Sequence, residues 1–326
     1  MPFKFNLNRL LYLFVVLIVI LSCEKDNKIE KKIANIGTEV EIERFDKLFA
    51  KSSVNDLKKL QTAYPFMFST KYSDTFWIDK MNDTLQKQLF FEVEKAFPKM
   101  DDTKEEIESL FNHLKYYFPE FKTPRIITTT SDVDYRNKVI VTDTIVVISL
   151  DNYLGSKHEF YQGIQQYIAA DMNKEQIVVD MANAYAQKYI YPTKNKTLLD
   201  EMIYHGKLLY FKDVMIPFKT EAERIAYTTA QLDWAIANEN YIWRYLVERE
   251  LLYSTDSKLP SRFIIDAPFS KFYLEEIDTE SPDKLGQYIG WQIVRAYMDQ
   301  NNVPLVDMFD ASTEEIFNKS KFKPRK

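Results

Sequence analysis

The sequence is poor in the residues that build tight turns and covalent cross-links. Its 326 residues include only 6 glycines, 1 cysteine and 3 histidines. So few glycines disfavour a turn-rich all-β fold and a glycine-rich phosphate-binding loop. A single cysteine excludes a disulfide within the chain. With 46% hydrophobic residues, the composition is that of a globular protein with a hydrophobic core.

Sequence motifs of several common enzyme classes are also missing. No His-Glu-x-x-His, Gly-x-Ser-x-Gly, P-loop or Rossmann fingerprint occurs in the chain. Of the histidines, His113 lies on the polar face of a predicted helix and His158 follows a turn, so both are expected at the surface. The net charge of −5, without a basic patch, argues against nucleic acid as a partner. No cofactor is predicted.

The first residues carry the pattern of a bacterial lipoprotein signal peptide. A basic start is followed by an unbroken apolar run, Leu10 to Leu21, which is too short to span a membrane. The run ends at Ser22-Cys23, and a small residue before a cysteine is typical of a lipoprotein cleavage site. We therefore predict that residues 1–22 are removed, that acylated Cys23 anchors the protein to a membrane, and that residues 23–35 form a polar tether.

The rest of the chain is expected to fold as one α+β domain, predominantly α-helical, over residues 36–326. A helical part covers 36–122, and a sheet-plus-helical part covers 123–318. β-branched runs between residues 125 and 150 predict a small sheet with a hairpin turn at Thr142-Asp143. Other predicted elements are a short strand leading into a helix at Val40 to Lys47, and helices at Thr84 to Ala96, Thr103 to Phe118, Lys174 to Ile190, Thr197 to Phe211 and Glu221 to Asn238.

The stretch Asp200 to Phe211 is the one around which the other predicted elements are arranged. Glu201 and His205 are four residues apart and share one face of its helix. Gly206 follows in mid-helix, where glycine costs about 1 kcal/mol relative to alanine. We therefore expect another element, such as a helix, to approach closely at Gly206. A histidine beside such a glycine is either a half-buried structural side chain or part of a site.

The order of elements around this stretch resembles that of zinc peptidases of the gluzincin type. In those enzymes one helix carries His-Glu-x-x-His and a later helix carries the third metal ligand. Here the corresponding window holds Asp180 and Asn183 without zinc histidines, so the resemblance implies a degenerate peptidase scaffold. A metal-dependent hydrolase with the atypical ligands Asp180, Glu201 and His205 stays open as an alternative. The carboxylates best placed for hydrolytic chemistry are Asp151, Asp180, Glu201 and Asp213.

A second alternative is a periplasmic lipoprotein that binds glycans or peptides. Aromatic residues make up 15% of the chain, and most of them are expected in the core. Trp234, Trp243 and Trp291 are the side chains expected to stack on such a ligand.

Short motifs occur in a defined order along the chain: the lipoprotein box ending at Cys23, Glu43-Arg44-Phe45-Asp46, Tyr64-Pro65, Asp151-x-Tyr153-Leu154-Gly155, Glu201-Met202-x-Tyr204-x-Gly206-Lys207 and Gly286-x-Tyr288-x-Gly290-Trp291-x-Ile293-Val294. Together they resemble the gliding-motility lipoprotein GldB family of Bacteroidetes. The resemblance implies a lipid-anchored cell-envelope protein, on the periplasmic side of the outer membrane, that is needed for gliding. It implies partners among the other motility or secretion proteins and no enzymatic activity.

Overall fold

A computed structural model describes residues 28–325 of the chain. The predicted signal peptide 1–22 and the predicted acylation site at Cys23 lie outside these residues. Within them the protein is an α+β fold in which helices predominate, as the sequence indicates. None of the helices in this range combines the length and the apolar character needed to cross a bilayer.

A four-stranded mixed sheet separates two hydrophobic clusters. Its order is β1–β2–β4–β3, with β1 (Ile42–Arg44), β2 (Arg125–Thr129), β3 (Val139–Val141) and β4 (Ile145–Ser149). β1 and β4 run parallel to β2, whereas β3 and β4 form the predicted antiparallel hairpin. The hairpin and the strand after Val40 are thus confirmed. Because β1 pairs with β2, the sheet is larger than predicted and ties the N-terminal helical part to the rest.

Of the five helices between β1 and β2, the first three and one side of the fourth pack on one face of this sheet, whereas the fifth packs into the main core on the other face. They are α1 (Phe45–Lys51), α2 (Leu57–Ala63), α3 (Asp74–Asn82), α4 (Thr84–Ala96) and α5 (Asp101–Tyr117). Phe45, Phe49 and Phe68 form an aromatic cluster against Ile127 of β2. The adjacent Ile126 points into the main core instead, since successive strand residues face opposite sides. The helices predicted at Thr84 to Ala96 and Thr103 to Phe118 are confirmed.

After the sheet the chain is almost entirely helical. The helices are α6 (Gln166–Ala169), α7 (Ile177–Tyr189), α8 (Leu198–Met215), α9 (Glu221–Ile225), α10 (Thr229–Ala237), α11 (Glu239–Glu248), α12 (Leu259–Phe263), α13 (Glu275–Asp278), α14 (Leu285–Gln300), α15 (Leu305–Asp310) and α16 (Thr313–Ser320). The prediction of a single helix over Glu221 to Asn238 is wrong, because this segment forms the two helices α9 and α10. Ala226 adopts a left-handed conformation with φ of 57° that ends α9, and the Thr228 side chain then caps α10.

The predicted close approach at Gly206 is confirmed, and the approaching element is α14. A Cβ atom on Gly206 would lie 2.3 Å from the carbonyl oxygen of Gly290. A Cβ atom on Gly290 would lie 1.8 Å from the carbonyl oxygen of Met202. The backbones of α8 and α14 therefore touch at this crossing, which no residue larger than glycine permits.

The N-terminal boundary of the domain differs from the prediction. Residues 28–34 are helical and Ile33 is buried, so this part of the predicted tether 23–35 packs on the domain. His113, expected at the surface, is also buried. Its Nδ1 donates a hydrogen bond to the carbonyl oxygen of Ser109 (2.7 Å), and its Nε2 lies 3.3 Å from the carboxylate of Glu30. His113 thus connects residues 28–34 to α5.

Candidate functional site

Seven charged or titratable side chains from separate parts of the chain meet beside α7 and α8. We call this cluster the charged recess, and it consists of Lys138, Asp171, Asp180, His205, Lys212, Asp266 and Lys284. Lys138 immediately precedes β3, Asp180 lies on α7, and His205 and Lys212 lie two helical turns apart on α8. Asp171 lies in the segment before α7, Asp266 in the segment between α12 and α13, and Lys284 directly before α14. The fold brings these distant segments together because α7, α8 and α14 share one core.

Lys284 is the central cation of the charged recess. It precedes α14 in a left-handed conformation with φ of 52°, and its side chain is 8% exposed. Its Nζ lies 3.0 Å from Asp266, 3.6 Å from Asp283 and 3.9 Å from Asp171. Burial alone disfavours its charge, but the three carboxylates outweigh burial and raise the pKa of Lys284.

The carboxylates around Lys284 differ in accessibility and in pKa. Asp266 keeps 60% of its side-chain surface in contact with solvent, so the recess is open on its side. Burial pushes the pKa of Asp266 upward, yet Lys284 and Lys138 lower it below its usual value. At Asp171 burial dominates the attraction of the same two lysines and raises the pKa to about 6.

Asp180, a predicted candidate, is anchored by two contacts. Its carboxylate accepts a hydrogen bond from the hydroxyl of Tyr153 (2.8 Å) and pairs with Lys138 Nζ at 2.7 Å. Burial and the negative charge of Asp180 raise the pKa of Tyr153 well above its usual value, so that its hydroxyl stays protonated and donating. The Asp-Tyr-Leu-Gly motif around Tyr153 is thereby linked to α7.

His205 and Lys212 are the members of the recess without a carboxylate in contact. Burial, reinforced by the charge of Lys212, lowers the pKa of His205 to about 4, so its imidazole is neutral at pH 7. Within residues 28–325 no hydrogen-bonding group lies against its ring nitrogens. Burial lowers the pKa of Lys212 to about 8, and its Nζ donates to the carbonyl oxygen of Arg224 (3.0 Å). Such shifted groups in a recess mark a candidate functional site.

The predicted metal ligands do not assemble into a metal site. No group of three or more His, Cys, Asp or Glu side chains in the described part of the chain is arranged to hold a metal ion. Asp180, Glu201 and His205 therefore do not form such a group. Asp180 is directed to Lys138 and Tyr153 instead.

Asp151, another predicted candidate, is a structural carboxylate. Asp151 is fully buried and accepts the backbone N–H groups of Ser131 and Val133 at 2.7–3.0 Å, which fixes the loop before β3. Burial raises the pKa of Asp151 to about 6. His158 is also structural: it is half-buried rather than at the surface, and its Nε2 lies 3.3 Å from Glu92.

Asp213 on α8 joins three helices. It accepts two hydrogen bonds from Arg295 (2.7 and 2.8 Å) and one from the indole of Trp291 (2.8 Å), both on α14. Arg224 on α9 completes the set of donors to the same carboxylate. All its acceptor positions face fixed partners, so Asp213 is a structural acid.

The three predicted ligand-stacking tryptophans do not form one surface. Trp291 is fully buried beneath Arg295, whose guanidinium lies 3.8 Å from the centre of its ring. Trp243 packs against Phe317 and Phe322 near the C-terminus. Trp234 lines a surface groove.

Sequence reasoning missed Lys138, Asp171, Lys212, Asp266 and Lys284. One signal was available for Lys212. It lies on the stripe that continues from His205 through buried Leu209, and a lysine on an apolar stripe must find polar surroundings. The other four come from loops or strand ends, where no periodic pattern indicates burial.

The motifs that carry the family resemblance have contacts that explain them structurally. The Arg44 guanidinium forms a bidentate pair with Asp46 (2.7 and 2.9 Å) and donates to the carbonyl oxygen of Phe97. Glu43 forms another bidentate pair with Arg125 across β1 and β2. Arg125 in turn lies over the ring of Tyr64.

These features describe a predominantly helical α+β protein with a charged recess and no assembled metal site in residues 28–325. Comparison with protein families matches residues 26–324 to the family described as gliding motility protein GldB. The chain therefore belongs to this family. No curated protein and no solved structure matches the chain. The resemblance to gluzincin peptidases receives no support from these comparisons.

Proposed function

We propose that this protein is a lipid-anchored component of the cell envelope that supports gliding motility by binding other motility or secretion proteins. The observation that carries the proposal is the family match over residues 26–324, which includes almost the whole chain after the predicted acylation site at Cys23. The net charge of −5 agrees with partners other than nucleic acid.

The proposed role is binding rather than catalysis. Asp151, Asp180 and Asp213, three of the acids best placed for hydrolysis by sequence, are each engaged by fixed neighbours. A general acid or base needs a group free to exchange a proton with a substrate. The contacts of these acids instead serve loop closure, helix docking and charge pairing.

The proposed anchor keeps the domain close to a membrane, on the periplasmic side of the outer membrane. Lys28, the first described residue, is 5 residues after Cys23, and residues 28–34 already pack on the domain. Because one extended residue spans at most about 3.5 Å, the domain lies within roughly 20 Å of the lipid attachment.

The proposal is tested by deleting the gene and following the movement of cells over a surface. We expect the deletion strain to stop gliding and the wild-type gene to restore movement. Genes for Asp180→Asn and His205→Gln are expected to restore it as well, because neither residue is assigned a catalytic role. Gliding by the deletion strain would refute the motility role. Loss of gliding with a folded, membrane-bound His205→Gln protein would instead indicate chemistry in the charged recess.

A further inference from the structure

Residues 28–34, the first helical segment that the structure describes, are fixed to the domain. Ile33 is 2% exposed, and the carboxylate of Glu30 lies 3.3 Å from Nε2 of His113 on α5. Four residues after the segment, the backbone N–H of Thr38 donates a hydrogen bond to a side chain of α5 as well. These contacts set the position at which the chain enters the domain, beside the C-terminal half of α5.

This fixed entry point decides which face of the domain lies nearest the membrane. Lys28 follows the predicted acylation site at Cys23 by only 5 residues, a length that spans at most about 18 Å. A globular domain of this size is about 50 Å across, from a radius of gyration of roughly 19 Å. The tether is therefore too short to reach round the domain. With the lipid on Cys23, the face that carries residues 28–34 is the one nearest the membrane.

A stripe of lysines lies on the outer side of this helical segment. Lys28, Lys31 and Lys32 are exposed, and their spacing of three and four residues places them on one helical face. The buried Ile33 lies roughly 140° further round the helix from Lys28. No carboxylate within residues 28–325 forms an ion pair with these lysines. Like charges at this spacing destabilise a helix, and an anionic surface against the stripe would relieve that repulsion.

A second exposed segment borders the same end of α5. Phe118, directly after α5, stacks on Tyr189 at the end of α7, with 4.2 Å between the ring centres. The loop that follows Tyr189 therefore begins beside the end of α5. Its Tyr191 is 74% exposed, and Lys194 and Lys196 are exposed without a carboxylate partner among the described residues. Tyrosine and lysine are side chains that favour the headgroup region of a bilayer.

These two segments carry an excess of positive charge in an acidic chain. Residues 28–41 and 190–197 together hold five exposed lysines and three exposed glutamates. The glutamates are Glu30, Glu39 and Glu41. Because the whole chain has a net charge of −5, the excess is opposite in sign to the chain as a whole. Basic clusters of about four to eight residues are typical of surfaces that contact anionic lipids.

We infer that the two segments rest on anionic phospholipid headgroups of the bilayer that holds Cys23. We call this surface the membrane face, and it is formed by Lys28, Lys31, Lys32, Tyr191, Lys194 and Lys196. The lysine ammonium groups pair with lipid phosphates, and the Tyr191 ring lies among the headgroups. The inference rests on the proposed lipid anchor and adds the orientation in which the anchor holds the domain. Because the anchor makes the contact intramolecular, the membrane face needs no strong membrane affinity of its own.

The inference is tested with the acylated full-length protein in phospholipid vesicles. Because Cys23 is the only cysteine, its acylation leaves a cysteine introduced elsewhere as the single free thiol for a fluorescent label. Asn195→Cys places the label in the loop of the membrane face. Leu85→Cys is the matched control, since Leu85 is 62% exposed and its neighbour Gln86 bonds Thr130, just past the C-terminal end of β2, whereas α5 leads into the N-terminal end of that strand.

Lipids that carry a quencher measure how close each label lies to the bilayer. In vesicles that contain phosphatidylglycerol, we expect these lipids to quench the label at position 195 at least about three-fold more strongly than the label at position 85. The difference should shrink in vesicles of phosphatidylcholine alone and at high salt, because both changes weaken the attraction between the lysines and the bilayer. The double variant Lys31→Glu, Lys32→Glu should reduce quenching at position 195, whereas Lys87→Glu, Lys99→Glu, on exposed lysines elsewhere, should not.

Several results would overturn the inference. Equal quenching of the two labels would show that the membrane face is no closer to the bilayer than the far end of the sheet. Quenching at position 195 that ignores phosphatidylglycerol, salt and charge reversal would remove the role of the lysines. A label at position 195 that lipids do not quench would refute the lipid assignment and leave the lysines to an acidic protein partner.

Attachment to the vesicles separates failure of this inference from failure of the proposed function. Protein that carries no acyl mass and does not sediment with vesicles would refute the lipid anchor, and the membrane face with it. Acylated, vesicle-bound protein whose two labels are quenched equally would overturn the membrane face alone and leave the anchored role intact. Acylated protein with strong, charge-dependent quenching at position 195 would support both.

Discussion

Gly206 on α8 and Gly290 on α14 lie at one helix crossing, where the backbone of Gly290 occupies the space that a Cβ atom on Gly206 would need and the backbone of Met202 occupies the space for a Cβ atom on Gly290. The carbonyl oxygen of Gly290 is 2.3 Å from the position of a Cβ on Gly206. Around this crossing, Met202, Ile289 and Ile293 are fully buried. The crossing therefore sets the distance between the helices that carry His205, Asp213 and Arg295.

Adding one methyl group at this crossing should destabilise the protein strongly. We expect Gly290→Ala to lower the free energy of unfolding by more than about 3 kcal/mol, because the new Cβ would meet backbone atoms that have no room to move. Gly206→Ala should follow, and Gly286→Ala should cost least, since its Cβ first meets the end of the Ile264 side chain together with one carbonyl oxygen at 2.8 Å. Chemical denaturation of the three variants measures this order, and an equal cost at Gly286 and Gly290 would contradict the explanation.

Removing the charge of Asp213 should release α9 and α14 from α8. Asp213→Asn removes the carboxylate that Arg224 and Arg295 share and leaves Arg295 with Glu221 alone, at 3.2 Å. Breaking a buried pair of this kind costs about 3–5 kcal/mol. The matched control is Asp143→Asn, which removes the ion pair of a carboxylate that is 86% exposed. That control should leave the unfolding transition nearly unchanged, because exposed pairs contribute little. Similar losses in both variants, measured by thermal unfolding, would disprove the structural role of Asp213.

His205 should remain neutral far below the pH at which histidines usually titrate. Its folded-state pKa of about 4 lies below the usual 6.5, so the unfolded chain binds a proton that the folded protein excludes. Its contribution to stability is complete above about pH 6.5 and is lost as the pH falls towards 4. Imidazole C–H signals of the three histidines, assigned with His205→Gln, measure this titration. A midpoint near pH 6.5 for His205 would show that it is not desolvated.

Asp171 should have the opposite effect on the pH dependence of stability. Its pKa is raised to about 6, so the folded protein holds its proton more tightly than the unfolded chain does. The stability that this proton provides is complete below about pH 4 and is lost as the pH rises through 6. Asp171→Asn should therefore become more stable relative to wild type over this pH range, with Lys284 still paired to Asp266 and Asp283. A difference that does not change with pH would contradict the raised pKa.

Cys23 should be the attachment site of the lipid. We expect the purified wild-type protein to lack residues 1–22 and to carry added acyl mass, and to incorporate labelled palmitate in cells. Cys23→Ala should show neither change, because no other cysteine is available for acylation. Mass spectrometry of the N-terminal fragment tests this, and acylation of Cys23→Ala would place the anchor at another residue.

The sequence predicted the local elements well and their boundaries less well. The hairpin between residues 139 and 149 followed from two β-branched runs, and the helix around Gly206 from apolar periodicity. The break at Ala226 does have a local signal, because Thr228 and Gln231 form a capping box that starts a new helix two residues later. The burial of His113 does not follow from the sequence, because its neighbour Glu30 belongs to a segment whose polar composition predicts a tether rather than a helix.

The sequence by itself determined the helical character of the chain, the hairpin and the need for a close approach at Gly206, since each follows from periodicity or from the conformational limits of nearby residues. Only the tertiary structure decided which charges meet. Arg295 reaches Asp213 across 82 residues of sequence, and Lys284 lies 3.9 Å from Asp171 although 113 residues of sequence separate them. Ion pairing depends on distances of a few ångströms between side chains, and those distances are set by how α7, α8 and α14 pack, which no local pattern encodes.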